Sequence, residues 1–131
     1  MSEQIVSAFD AGIAQIRINR PEKKNALTSD MYATLAHSLA RADQDAAVRV
    51  ITLTGSADTF SSGNDVADFL KLDASLSDEQ PVGQFLRTIA AVSKPLIAAV
   101  NGMAIGVGVT MLLGRKGLYF ATATTSPNNR Y

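Results

Sequence analysis

Two glycine-bearing turns, far apart in the sequence, constrain this chain more than any other feature. They are Phe60-Ser61-Ser62-Gly63-Asn64-Asp65 and Asn101-Gly102-Met103-Ala104-Ile105-Gly106-Val107-Gly108. The second follows a β-forming run, both lead into helical patterns, and each reads as a strand–turn–helix unit. Glycine permits close backbone approach and unusual φ/ψ, and a helix N-terminus adds a field that favours negative charge. A fold that brings the two turns together can aim two backbone N–H groups at one oxygen.

The rest of the chain supplies an α/β frame for such turns. Residues 5–9 and 13–19 read as two strands joined at Asp10-Ala11-Gly12. In the second, Ile13, Ile16 and Ile18 are expected on a half-buried strand with Arg17 and Asn19 between them. Thr28 is a suitable N-cap, with Asp30 in the first turn, and Met31, Leu35, Leu39 and Ala42 repeat at helical spacing on one buried face. Val48–Leu53 is a strand, Asp58–Asp65 a turn-rich loop, and Val66–Leu72 a short helix. Residues 73–81 read as an exposed linker or flap. A helix follows over Val82–Val92, and Pro95 enforces a break before the strand Leu96–Val100. Gly102–Gly108 is then a turn feeding a helix to about Leu113. The order β-β-α-β-α-β-α, with crossover helices, implies parallel pairing.

Composition excludes several classes of function. Twelve basic and twelve acidic residues cancel, which argues against nucleic acid or membrane partners. The absence of cysteine rules out disulfides, a thiol nucleophile and a thiolate metal site, and a single histidine rules out a multi-histidine cluster. No metal is expected. Met1-Ser2-Glu3-Gln4 lacks the basic and apolar regions of a signal peptide, and no apolar run reaches the length of a membrane span. A cytoplasmic location is the expectation. The charge is uneven along the chain: all twelve carboxylates lie at or before Glu79, and five basic residues stand unopposed in residues 80–131.

A third segment, Arg20-Pro21-Glu22-Lys23-Lys24-Asn25-Ala26-Leu27, completes an ordered set with the two turns and with Lys94-Pro95-Leu96-Ile97-Ala98-Ala99-Val100-Asn101-Gly102. Together these motifs, over roughly residues 20–113, resemble the crotonase superfamily, the enoyl-CoA hydratases and isomerases. The resemblance implies a ClpP/crotonase-like ββα superhelix and an acyl-CoA thioester as substrate, with coenzyme A belonging to the substrate and no separate cofactor. It implies that backbone N–H groups of Ser62 and Val107 form an oxyanion hole for a thioester enolate, although many relatives carry glycine at the Val107 position. Ser61, Ser62, Gly63, Asn64, Asp65 and Gly106 would line the same site. The basic segment would lie along the coenzyme A nucleotide, with Lys24 as the phosphate cation and Ala26 giving backbone contact. Asn25 is expected to fix the turn through its side chain.

Other polar residues read as structural. His37 falls about 200° around its helix from Leu35 and Leu39, on the solvent face. Asp65 is placed to cap the helix that follows, Asp68 to face solvent, and the Ser61 and Ser62 hydroxyls lack a neighbouring base.

The resemblance also identifies gaps. A hydratase of this family uses two glutamates, and at the first of these positions this chain has Thr110. Thr110, with Ser61-Ser62-Gly63-Asn64-Asp65 in the first turn, looks more like the Δ3,Δ2-enoyl-CoA isomerase branch, which can shuttle a proton with one carboxylate. That carboxylate comes later in the family, in a Pro-Glu segment without a counterpart here. Residues 1–113 are accordingly read as a crotonase-like N-terminal core and residues 114–131 as a divergent tail, one strand around Leu118–Thr125 and then an unstructured end. Family members are about twice this length, and their C-terminal helices close the site and build trimers or hexamers. The fold is therefore expected to be incomplete, its C-terminal helical part missing. Truncation, a cloning boundary and a frameshifted reading would all give this pattern. Two outcomes stand side by side: an enoyl-CoA hydratase/isomerase, lyase or isomerase of fatty acid metabolism, or an inactive fragment that binds acyl-CoA or only associates with other subunits.

Overall fold

The computed structural model describes residues 2–56, 59–69, 80–100, 103–104 and 119–122. The chain opens with a hairpin of β1 (Ile5–Asp10) and β2 (Ile13–Ile18), paired antiparallel from Ile5↔Ile18 to Asp10↔Ile13. Its two-residue turn needs positive φ at both positions, and Ala11 (φ 51°) and Gly12 (φ 83°) both have it. A single 3₁₀ turn over Pro21–Lys23 leads to α1 (Ser29–Gln44), which returns the chain to β3 (Val50–Thr54), parallel to β2. Then come β4 (Thr59–Ser61), a one-turn α2 (Val66–Phe69), α3 (Pro81–Ala91), β5 (Leu96–Val100), β6 (Met103–Ala104) and β7 (Tyr119–Thr122). The main sheet has the order β1-β2-β3-β5-β7, and all pairs after the hairpin are parallel.

Helices α1 and α3 pack against each other, and α1 lies on the sheet, burying the residues that helical spacing selects. Thr28 caps α1 as expected, its Oγ1 accepting from the Met31 N–H at 3.2 Å. Met31, Leu35 and Leu39 are buried with Ile16, Ile18, Ile51, Leu53, Phe85, Ile89 and Leu96 in one core. At about 25 cal/mol per Å² of apolar surface removed from water, this core is the main favourable term in folding. The alternation in β2 differs from expectation at one position. Ala14, Ile16 and Ile18 share the buried face, whereas Ile13 is 37% exposed. The side-chain period of a strand is two, so an odd-numbered residue cannot share a face with two even-numbered ones.

Two short strands lie where the sequence suggested only loop and turn. β4 pairs with β6 in parallel, Thr59 with Met103 and Ser61 with Ala104. The strand expected in the tail is present as β7, which joins the sheet beside β5. The expected continuation of the short helix to Leu72, the helix after Gly108 and the C-terminal end lie outside the described residues, as does the linker expected at 73–81 up to residue 79; its last residue, Pro81, instead starts α3.

Gly55 sits where the chain leaves β3 and folds back on β4. A Cβ there would lie 2.2 Å from the Thr59 carbonyl oxygen and 2.6 Å from Phe60 Cα, so only glycine fits without backbone movement.

Candidate functional site

The basic segment and the first glycine turn are zipped together by backbone hydrogen bonds. Ser62 N–H donates to Lys24 C=O (3.1 Å), Leu27 N–H to Gly63 C=O (2.8 Å), and Asp65 N–H to Leu27 C=O (2.9 Å). Ser61, fully buried, adds one more: its hydroxyl donates to Asn25 C=O, while within the turn it accepts from Gly63 N–H, both at 3.0 Å.

Asn25 is the hub of this arrangement. Lys24 and Asn25 both adopt left-handed backbone (φ 51° and 57°), a conformation that asparagine tolerates better than most residues. The Asn25 side chain is completely buried. Its Oδ1 accepts from Arg20 N–H (2.8 Å) and the Ser56 hydroxyl (3.0 Å), and its Nδ2 donates to Thr59 C=O (2.8 Å) and Phe60 C=O (3.3 Å). The expectation that Asn25 fixes the turn through its side chain therefore holds, and it also holds the start of β4.

The charged residues divide into engaged and free. Arg20 is clamped on Asp65 at 2.6 Å and also donates to Ala26 C=O (3.1 Å), so it is a strut between the two motifs. Asp65 caps α2 as expected, its Oδ1 accepting from Asp68 N–H at 2.9 Å. That hydrogen bond and the Arg20 guanidinium hold its carboxyl below the usual aspartate range. Asp68 is tied to the start of α1, its Oδ2 accepting from Ser29 N–H (2.8 Å) and the Ser29 hydroxyl (3.0 Å), where solvent contact alone was expected. Neither carboxylate beside the turn is a free base. Lys23 and Lys24 are exposed, and so is His37 on the far side of α1. Ala26 N–H donates to Lys23 C=O (3.0 Å) and its carbonyl accepts from the Arg20 guanidinium, so both of its backbone groups are engaged.

Within the first turn, three of the four N–H groups from Ser62 to Asp65 already have acceptors. Ser62 N–H is taken by Lys24 C=O, as Gly63 N–H and Asp65 N–H are by Ser61 Oγ and Leu27 C=O. Within Ser62–Asp65, the Asn64 N–H is the one that meets no acceptor among the described residues. A trans peptide is planar, with C=O and N–H pointing in opposite directions. Because Gly63 C=O points at Leu27 N–H, Asn64 N–H is directed away from the basic segment. The parallel register agrees with this choice. Ser61 pairs with Ala104, and Asn64 and Val107 each follow their paired residue by three positions. Ser62 follows by only one. Val107, Gly106 and Thr110 themselves lie outside the described residues.

Beside Asn64 is a cavity of about 10 Å³ bounded by Leu27, Ser29, Tyr32, Asn64, Asp65 and Val82, room for about one water molecule. A larger open groove of about 230 Å³ lies between the hairpin and α1, lined by Phe9, Ile16, Arg41 and Val48 among others. It contains none of the expected site residues.

A mostly parallel sheet, a short parallel β4–β6 pair and a first turn zipped to a basic segment are the features of a crotonase-like α/β protein. The enoyl-CoA hydratase/isomerase family model matches residues 8–115, and the chain belongs to this family, corresponding to its N-terminal region. Among solved structures, OdaA of Pseudomonas aeruginosa is 44% identical with a TM-score of 0.83, over 91% of this chain and 48% of that one. Among characterised relatives, enoyl-CoA delta isomerase 2 of Rattus norvegicus is 37% identical over 116 residues, 85% of this chain and 29% of that protein. The 2,3-dehydroadipyl-CoA hydratase of Escherichia coli K12 is 37% identical over 115 residues, 86% of this chain and 44% of that protein. The chain thus spans less than half the length of these relatives.

Proposed function

We propose that this chain binds an acyl-CoA thioester and polarises its carbonyl oxygen between the backbone N–H groups of Asn64 and Val107. One observation carries the reading: the β4–β6 register and the hydrogen bonds of the first turn leave Asn64 N–H, three residues past the paired position, as the donor without an acceptor among the described residues. Preorganised backbone donors of this kind stabilise the negative charge that develops on an enolate oxygen, and losing one typically costs about 10²–10³ in rate. The exposed Lys24, with Lys23 beside it, supplies mobile positive charge for the nucleotide phosphates, and the Ala26 carbonyl, which already accepts from Arg20, offers its second lone pair nearby. Arg20 is excluded from that role by its pairing with Asp65.

The reaction class follows from Thr110, at the position where the hydratases of the family carry a glutamate. It favours isomerisation of a 3-enoyl-CoA over hydration, in keeping with the delta isomerases among the relatives. Proton transfer then needs one carboxylate. Asp65 and Asp68 are engaged in structural hydrogen bonds, and the sequence has no aspartate or glutamate after Glu79. That observation favours a second reading, in which the chain binds and polarises the thioester without turning it over.

Incubating the purified chain with 3-enoyl-CoA and with 2-enoyl-CoA separates the two, alongside calorimetry with butyryl-CoA. Heat of binding without sustained turnover supports the second reading. Turnover of the 3-enoyl isomer supports the first, and no detectable heat overturns both.

A further inference from the structure

The buried phenol of Tyr32 is absorbed neither by the core nor by the reading above. Tyr32 lies in the first turn of α1, 3% exposed, its ring 5.5 Å from that of Phe85 at an interplanar angle of 45°. A buried tyrosine hydroxyl needs a hydrogen-bond partner, and here it donates to Asn64 Oδ1. Burial pushes the phenol's pKa up, so the group stays protonated and remains a donor across the working pH range.

Asn64 follows Gly63, which has φ 91°. A glycine in this region of backbone space offers little resistance to rotation of the peptide plane that follows it. In that plane lies the Asn64 N–H. One restraint on the plane is the bond from Leu27 N–H to Gly63 C=O. The second acts from the other side, through the Asn64 side chain. With Oδ1 held by Tyr32 and the ring of Tyr32 beside that of Phe85, the Cα–Cβ bond of Asn64 is fixed in direction, and with it the position of the nitrogen that carries the N–H. The Asn64 Nδ2 meets no acceptor among the described residues, so the bond to Tyr32 is the side chain's sole tether there.

We propose that Tyr32 is a positioning residue for the oxyanion donor: its O–H, donated to Asn64 Oδ1, fixes the direction in which Asn64 N–H points. This rests on the functional reading above, and the experiment separates the two. The probe is an aryl-acryloyl thioester of coenzyme A, whose absorbance moves to longer wavelength when its carbonyl is polarised. Dissociation constant and wavelength shift are measured for the unmutated chain, Tyr32→Phe, Asn64→Ala and the double variant. Phe retains the ring packing, and Ala at position 64 retains the backbone N–H while removing the tether. The expected result is a shift in the unmutated chain that falls by half or more in Tyr32→Phe, with the dissociation constant unchanged within about twofold. Asn64→Ala should lose the wavelength shift to the same extent, and the double variant should lose no more of it than either single one, because both break one bond. An undiminished shift in Tyr32→Phe, an additive double variant, or parallel loss of affinity and melting temperature overturns the inference. No binding or no shift in the unmutated chain overturns the functional reading and the inference with it.

Discussion

Replacing Asn25 tests how the two motifs are held together. Asn25→Ala removes the acceptor of Arg20 N–H and the donor to Thr59 C=O, both at 2.8 Å, the first bond part-buried and the second buried. Each buried group left without a partner costs about 1–3 kcal/mol. The alanine must also hold the left-handed φ of 57°, which costs a further ~1 kcal/mol relative to glycine. The sum, roughly 3–7 kcal/mol, is a large part of the ~5–15 kcal/mol that stabilises a typical domain. Urea unfolding, followed by circular dichroism, measures it. With a slope of about 1–3 kcal/mol per M, the midpoint should fall by roughly 2 M, or the variant should be unfolded without urea. Asn25→Gly isolates the backbone term and should be less destabilised than Asn25→Ala by about 1 kcal/mol. Asn25→Asp keeps the acceptor but turns an oxygen toward the Thr59 and Phe60 carbonyls, and should be no more stable than the alanine variant. Asn25→Ala within ~0.5 kcal/mol of the unmutated chain would refute the hub.

Three further outcomes are expected. Gly55→Ala drives a Cβ to 2.2 Å from a backbone oxygen, and the strand shift needed should cost about 1–3 kcal/mol by thermal or urea unfolding. The carboxyl of Asp65 has a folded pKa below its unfolded value, so its pairing with Arg20 stabilises the chain fully above about pH 5 and loses effect as pH falls through the folded pKa. Asp65→Asn should accordingly flatten the pH dependence of the melting temperature below about pH 5 and lower stability at neutral pH. Lys24→Glu should weaken coenzyme A binding at low salt by about tenfold and leave the melting temperature unchanged, with the gap closing as salt rises.

What could be read from the sequence divides by the range of the interactions. Thr28 as a cap, the α1 face of Met31, Leu35 and Leu39, Asn25 in its turn and Asp65 before α2 all depend on neighbours a few residues away, and each is found as expected. The strands β4 and β6 are three and two residues long, within serine- and glycine-containing segments, too short for a periodic pattern. Each exists through the other, and a local reading cannot supply that partner. That Ser62 N–H is already engaged is illegible in the sequence for the same reason. Ser62 and Asn64 are equally good candidates on inspection of the turn, and what separates them is Lys24 C=O, brought in from another motif. The ties of Tyr32 to Asn64 and of Asp68 to Ser29 are likewise tertiary contacts between residues that each look ordinary in sequence. The pairing of Arg20 with Asp65 is of the same kind, a contact between residues 45 positions apart.

The most direct test of the central claim is amide hydrogen exchange resolved by residue in ¹⁵N-labelled chain, with and without butyryl-CoA. Ser62 N–H should be protected in both states, because Lys24 C=O already holds it. Asn64 N–H should exchange rapidly in the free chain and become protected, with a downfield proton shift, only when the thioester is bound. Protection gained at Ser62 on binding, with Asn64 unchanged, would contradict the account.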